Sequence, residues 1–138
     1  MKRSRLFLFL LSMSAKAFSM DRESTIELRD VVPNAEKIYV AIYNSESSYK
    51  KKPFKIRRLD PTNTVLKISV VLPDGFYVAS AFQDINGNKR LDFNFWGIPK
   101  EPIWLSNFDG KGAPGGFEKL KFRIFENDQT VVINKTKF

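Results

Sequence analysis

Two runs, Thr64 to Leu72 (TVLKISVVL) and Gly75 to Phe82 (GFYVASAF), follow one another with only Pro73 and Asp74 between them. β-Branched and aromatic residues dominate both, and these side chains fit a pleated, half-buried surface. Proline fixes φ, and aspartate and glycine serve tight turns, so the link reads as a turn. A connection this short predicts antiparallel neighbours in one hairpin. A fold built on this pair is β-rich.

The rest of the chain extends the pattern. Ser24 to Asp30 alternates Thr25, Glu27 and Arg29 with Ile26 and Leu28, which predicts a strand with one wet face. Lys37 to Tyr43 (KIYVAIY) is apolar on both faces and predicts a central strand. Asn44 to Lys52 is polar and serine-rich, a connection. Phe54 to Leu59 follows Pro53 and carries several charges, as an edge strand does. Lys89 to Phe95, Lys119 to Phe125 and Thr130 to Asn134 are further short strands, the last two joined by Glu126-Asn127-Asp128. Gly97 to Gly116 holds three prolines and five glycines, too many for regular structure. Seven or so short strands without an amphipathic helix predict an all-β fold, an antiparallel β-sandwich over residues 18–138.

Residues 1–17 have a different character. Lys2, Arg3 and Arg5 precede the apolar run Leu6 to Leu11, and Ala15-Lys16-Ala17 forms a small-x-small site. This is the layout of a secretory signal peptide, so the protein is expected to be exported, periplasmic or extracellular. The formal charge of +8 includes four cations of that leader, and a chain starting at Phe18 keeps a net +4. So modest a charge does not suggest a nucleic-acid partner. Cysteine is absent, which excludes both a disulfide framework and a lipid-modified cysteine. No later run is long enough for a transmembrane anchor after cleavage.

Asp84, Asn86, Asn88 and Asp92 set oxygen-bearing side chains at the first, third, fifth and ninth places of a loop. Calcium loops of the EF-hand kind use that spacing, but the sixth place is Lys89 rather than glycine and the twelfth is Phe95 rather than glutamate. The competing reading is a turn: Asn86-Gly87 suits type I′, with Asp84 and Asn88 capping backbone amides. Calcium is therefore the one cofactor the sequence suggests, beside the alternative of none.

Phe93, Phe95, Trp96, Trp104, Phe108 and Phe117 sit in or around the long glycine- and proline-rich connection. Exposed, they would stack on a small ligand or grip an envelope partner, with Trp96, Trp104 and Phe108 as the expected contact surface. Folded over the end of the sandwich, they would form a local core. Lys50, Lys51, Lys52, Lys55, Arg57 and Arg58 cluster around Tyr49 and Phe54, either as a charged edge that blocks aggregation or as a contact for anionic surfaces.

Without histidine or cysteine, Ser-His, Cys-His and histidine-ligated metal chemistry are excluded. An enzyme would need a Ser-Lys arrangement or a carboxylate pair, and Asp84 and Asp92 are the pair that would hydrolyse an envelope polymer. No catalytic residue is identifiable by motif, so a non-enzymatic module is the expectation.

The passage LPDGFYVASAFQDINGNKRLDFNFWGIPKEPIWLSN resembles the signature of small exported bacterial proteins grouped as domain of unknown function 2141. There a Leu-Pro-x-Gly-x-Tyr strand leads to an Asp-x-Asn-Gly-Asn-x-x-Leu-Asp loop and an Asn-Phe-x-Gly-Ile-Pro-x-Glu segment. The likeness runs from about Glu23 onward and is strongest from Asp84 to Asn107. Members commonly carry histidine where this chain has Gln83, so a role that needs an imidazole does not carry over. They also have Tyr-Gly-Phe-Ser-Asn where it has Ile103-Trp104-Leu105-Ser106-Asn107. The resemblance implies an exported β-sandwich, immunoglobulin-like or prealbumin-like, and assigns no activity.

Overall fold

A computed structural model describes residues 18–138, and the leader expected over 1–17 lies outside the described residues. The chain runs β1 (Asp21–Arg29), β2 (Ile38–Tyr43), α1 (Glu46–Lys51), β3 (Lys55–Leu59), β4 (Val65–Pro73), β5 (Gly75–Gln83), β6 (Ile103–Leu105), α2 (Phe117–Leu120), β7 (Phe122–Ile124) and β8 (Gln129–Asn134). One sheet has the order β4-β1-β8 and the other β3-β2-β5-β6, with β7 pairing the first residues of β5. The all-β sandwich expected from the alternating pattern is the fold.

Period two decides what lies between the sheets. Along β4, Ile68, Val70 and Leu72 are buried while Lys67, Ser69 and Val71 face water. They meet Ile38, Val40 and Ile42 of β2, and Ala79 and Ala81 of β5, in a single core. Burying side chains of this size contributes about 1.5–3 kcal/mol each. Small residues in β5 leave room for Trp104, which lies opposite Ala81 in the β5–β6 register and is fully buried. Its indole N–H donates to the Arg29 carbonyl at 2.7 Å, so the ring joins the two sheets.

The expected hairpin between β4 and β5 is not formed. β4 pairs with β1 along nine residue pairs and β5 pairs with β2, so Pro73 and Asp74 turn the chain from one sheet into the other. Two consecutive strands with apolar inner faces can pair edge to edge or stack face to face, and both arrangements bury the same residues. The corner has its own fastenings. Arg22 Nε and Nη2 donate to the Asp74 carboxylate at 2.6 and 3.1 Å, and the Tyr77 hydroxyl donates to the Pro73 carbonyl at 2.7 Å.

Five other expectations need correction. The sandwich is not wholly antiparallel, because β8 returns beside β1 in parallel, Ser24 facing Gln129 and Arg29 facing Asn134. Lys89 to Phe95 is not a strand; among the described residues its only ladder contact is a bridge between Phe93 and Pro99. Asn44 to Lys52 holds α1, started by a capping box in which Ser45 and Ser48 satisfy each other's backbone N–H groups. The stretch from Gly97 to Gly116 contains β6, and Lys119 to Phe125 divides between α2 and β7. The expected edge strand is confirmed, since β3 ends its sheet.

Candidate functional site

β5 delivers the chain into the loop that follows it. Gln83 at its end is fully buried and pairs with the backbone of Val32, donating from Nε2 at 2.7 Å and accepting at Oε1 at 3.1 Å. The next residue, Asp84, is also buried, and its N–H donates to the Lys37 carbonyl. From there to Arg90 the chain folds around its own side chains. Asp84 Oδ2 accepts from the Lys89 N–H at 2.8 Å, Asn86 Oδ1 from Asn88 at 3.1 Å, and Asn88 Oδ1 from Arg90 at 2.9 Å. The Asx caps expected from the sequence are present; the type I′ turn is not, because positive φ falls at Gly87 (75°) and Lys89 (64°) and not at Asn86.

Two amides converge on Asp92. Asn86 Nδ2 and Asn88 Nδ2 donate to its Oδ2 at 2.7 and 2.6 Å. These bonds, with smaller help from the Arg90 and Lys100 charges, hold its carboxyl below the usual aspartate value. Glu101, which the sequence did not single out, closes the loop from outside. It is 7% exposed, and its Oε1 and Oε2 accept from the N–H groups of Ile85 and Asp92 at 2.9 and 3.2 Å. The signal for it was in the chain, as the glutamate ending the Gly-Ile-Pro-x-Glu segment.

Asp92 starts a short hairpin. Lys100 N–H donates to the Asp92 carbonyl and Asn94 N–H to Ile98, while Asn94 Oδ1 fills the tip by accepting from Trp96 and Ile98 at 2.9 and 3.0 Å. The tip carries Phe95 and Trp96, 93% and 81% exposed, edge to face with centroids 5.4 Å apart.

This hairpin forms one wall of a groove of about 970 Å³ on the outer face of the β2–β5–β6 sheet. Its floor includes Tyr39 and Phe82, paired across β2 and β5 and stacked at 5.1 Å with an interplanar angle of 10°. Phe93, Trp96 and Ile98 stand on one side, and Phe108, Ala113 and Pro114 on the other. Among the described residues, no charged side chain lines it. Arg58 lies at the margin, its guanidinium 5.6 Å from the Tyr39 ring centroid. Beyond the groove the same face is dry: Val78, Leu105, Phe117 and Leu120 form a second small core with Tyr43, Tyr49 and Phe108 packed on it.

The expected contact residues therefore separate. Trp96 is exposed and lines the groove, and Phe108 is half-buried in its far wall. Trp104 is fully buried and belongs to the core, because alternation along β6 turns it inward; it is not a surface residue. Phe117 is buried in the second core. The basic cluster spreads over α1 and β3, where Lys50 pairs with Glu46 at 2.9 Å and Lys55 Nζ donates to the Val71 carbonyl at 2.5 Å.

Fold and site together define a small all-β sandwich with an open apolar groove, walled by a hairpin on a polar loop. The chain belongs to the family described as "Uncharacterized protein conserved in bacteria (DUF2141)", whose profile matches residues 26–132. Comparison with curated proteins and with solved structures found no match.

Proposed function

We propose that this protein is an exported, non-enzymatic binding module that holds an amphiphile, its apolar body in the groove and its anionic head toward Arg58. The observation that carries the proposal is the groove itself: its size falls in the range of small-molecule sites, about 300–1,000 Å³. Its lining is mainly apolar and holds no charged side chain among the described residues, with the aromatic pair of Tyr39 and Phe82 half-buried at its base. Arg58 has no carboxylate partner among the described residues, which leaves a cation free at the margin. The non-enzymatic part is supported by the state of the two carboxylates a hydrolase would use. Asp84 is buried, and Asp92 is held ionised by two amides, which makes it a poor proton donor.

Titration of residues 18–138 with dodecanoate and with the uncharged dodecyl maltoside tests this. Trp96 is exposed and Trp104 lies buried beneath the groove, so a saturable change in tryptophan emission that is lost in Trp96→Phe reports on Trp96. Both probes are expected to bind. Ser80 of β5 also lines the groove, so Ser80→Glu, which sets a charge there, is expected to abolish both, and Arg58→Glu to weaken dodecanoate alone by about tenfold, or about 1.4 kcal/mol. Absence of saturable binding, or binding untouched by Ser80→Glu, overturns the proposal.

A further inference from the structure

The loop from Asp84 to Asp92 contains a carboxylate oxygen that its surroundings do not account for. Asp84 is 2% exposed, and Oδ1 has neither a hydrogen-bond donor nor an ion-pair partner among the described residues. Leaving a buried carboxylate oxygen unsatisfied is costly, and native structures rarely do so without a ligand, water or ion. Its companion Oδ2 takes the Lys89 N–H, so the carboxylate is tied to the backbone of this loop.

We infer that Asp84 Oδ1 is a ligand of a Ca²⁺ ion bound in this loop. The other donors stand at the places where a twelve-residue calcium loop supplies them: Asn86 at the third, Asn88 at the fifth, the Arg90 main-chain carbonyl at the seventh and Asp92 at the ninth. Asn86 Oδ1 and Asn88 Oδ1 each accept one backbone N–H, and an amide oxygen has a second lone pair to offer. Lys89 takes the left-handed conformation, φ 64°, that the sixth place requires and that glycine supplies elsewhere.

The donor set also fixes the strength of binding. Three carboxylates do not gather into a metal cage anywhere among the described residues, so this site has two carboxylates and depends on neutral oxygens. Charge count tunes calcium affinity, and a site this lightly charged falls in the range of extracellular modules, Kd about 10⁻⁴–10⁻³ M. Hard oxygens in a flexible loop favour Ca²⁺ over Mg²⁺, which demands near-ideal octahedral geometry. Because Asp92 begins the groove hairpin, the ion would stiffen that wall; the site itself does not depend on what the groove holds.

Calorimetric titration of residues 18–138 with CaCl₂ and MgCl₂, with melting curves in each, tests the inference. The expected result is one Ca²⁺ per chain, a raised melting temperature in 10 mM Ca²⁺ and no comparable effect of Mg²⁺. Asn86→Asp keeps the oxygen that caps Asn88 but sets a second anion against Asp92. Without the ion it should melt lower than the parent, and it should bind Ca²⁺ at least fivefold more tightly, with a larger Ca²⁺-dependent rise. Asp84→Asn should weaken binding at least tenfold; if it fails to fold, Asn86→Asp alone decides. Absence of Ca²⁺-dependent heat and stabilisation in both the parent and Asn86→Asp overturns the site, whatever dodecanoate does.

Discussion

Removing the Glu101 carboxylate gives the sharpest test of how the groove hairpin is held. Its two oxygens accept the N–H groups of Ile85 and Asp92, so one side chain ties the start of the polar loop to the start of the hairpin. Hydrogen bonds to a charged acceptor contribute about 1.5–3 kcal/mol each. The Asp92 bond is long at 3.2 Å, and Ile85 is 46% exposed, so water recovers part of the loss. The lower end of the range then applies, and Glu101→Ala is expected to cost about 3 kcal/mol. Glu101→Gln keeps one acceptor oxygen but turns an amide N–H toward the other donor, and is expected to cost about 2 kcal/mol. Urea unfolding of residues 18–138 measures both. Hydrogen exchange at the Lys100 and Gly97 amides, which are bonded within the hairpin, separates local loosening from global loss. The reasoning fails if Glu101→Ala costs less than about 0.5 kcal/mol. It also fails if those amides keep the protection they have in the parent.

Two further outcomes follow from the core and from the ion pairs. Trp104→Ala empties the space between the sheets and strands the Arg29 carbonyl, at an expected cost of about 3–5 kcal/mol by urea unfolding; a loss under 1 kcal/mol would contradict the assignment of Trp104 to the core. In acid, three carboxyls matter. Asp74 is held below its ordinary 3.8 by Arg22, Asp92 below 3.8 by Asn86 and Asn88, and Glu46 below 4.5 by Lys50 and the Phe117 N–H. A depressed folded-state value means that the unfolded chain binds protons first, so their stabilisation is complete above those ordinary values and is lost as pH falls below them. The urea midpoint should therefore be level near neutrality and drop below about pH 4, with a shallower drop in Asp74→Asn; an unchanged acid slope in that variant would contradict the Arg22 pairing.

Much of this architecture can be read from the chain because alternation is a local property. Ile26 and Leu28, Ile38 and Val40, and Ile68 and Val70 mark inner faces regardless of which strand pairs with which, and all are buried. Pairing is a different matter. Pro73-Asp74 is compatible with a hairpin and with a corner, and the choice was made by β1, whose nine-pair ladder occupies the edge of β4. The short helices were hidden for a related reason: six and four residues are too few for a helical period to show, and they hold through contacts distant in sequence, such as Glu46 Oε2 accepting the Phe117 N–H at 2.8 Å. The site was half visible. Asp84, Asn86, Asn88 and Asp92 were marked by their spacing, whereas Glu101 lies beyond the hairpin and acts only once the chain has turned back. Trp96 and Trp104 look alike in sequence, yet one tops a turn and the other sits on a strand with Ala81 opposite.

The parallel pairing of β1 with β8 has a consequence for the order of assembly. β1 is the middle member of its sheet, and one of its two neighbours, Gln129–Asn134, is more than a hundred positions away along the chain. That half of the sandwich cannot close until Gln129–Asn134 has been made, and contacts so distant in sequence place folding among the slow, millisecond-to-second cases. Until that strand arrives, β1 has β4 on one side and an unpaired backbone edge on the other, an edge open to wrong partners in the interval.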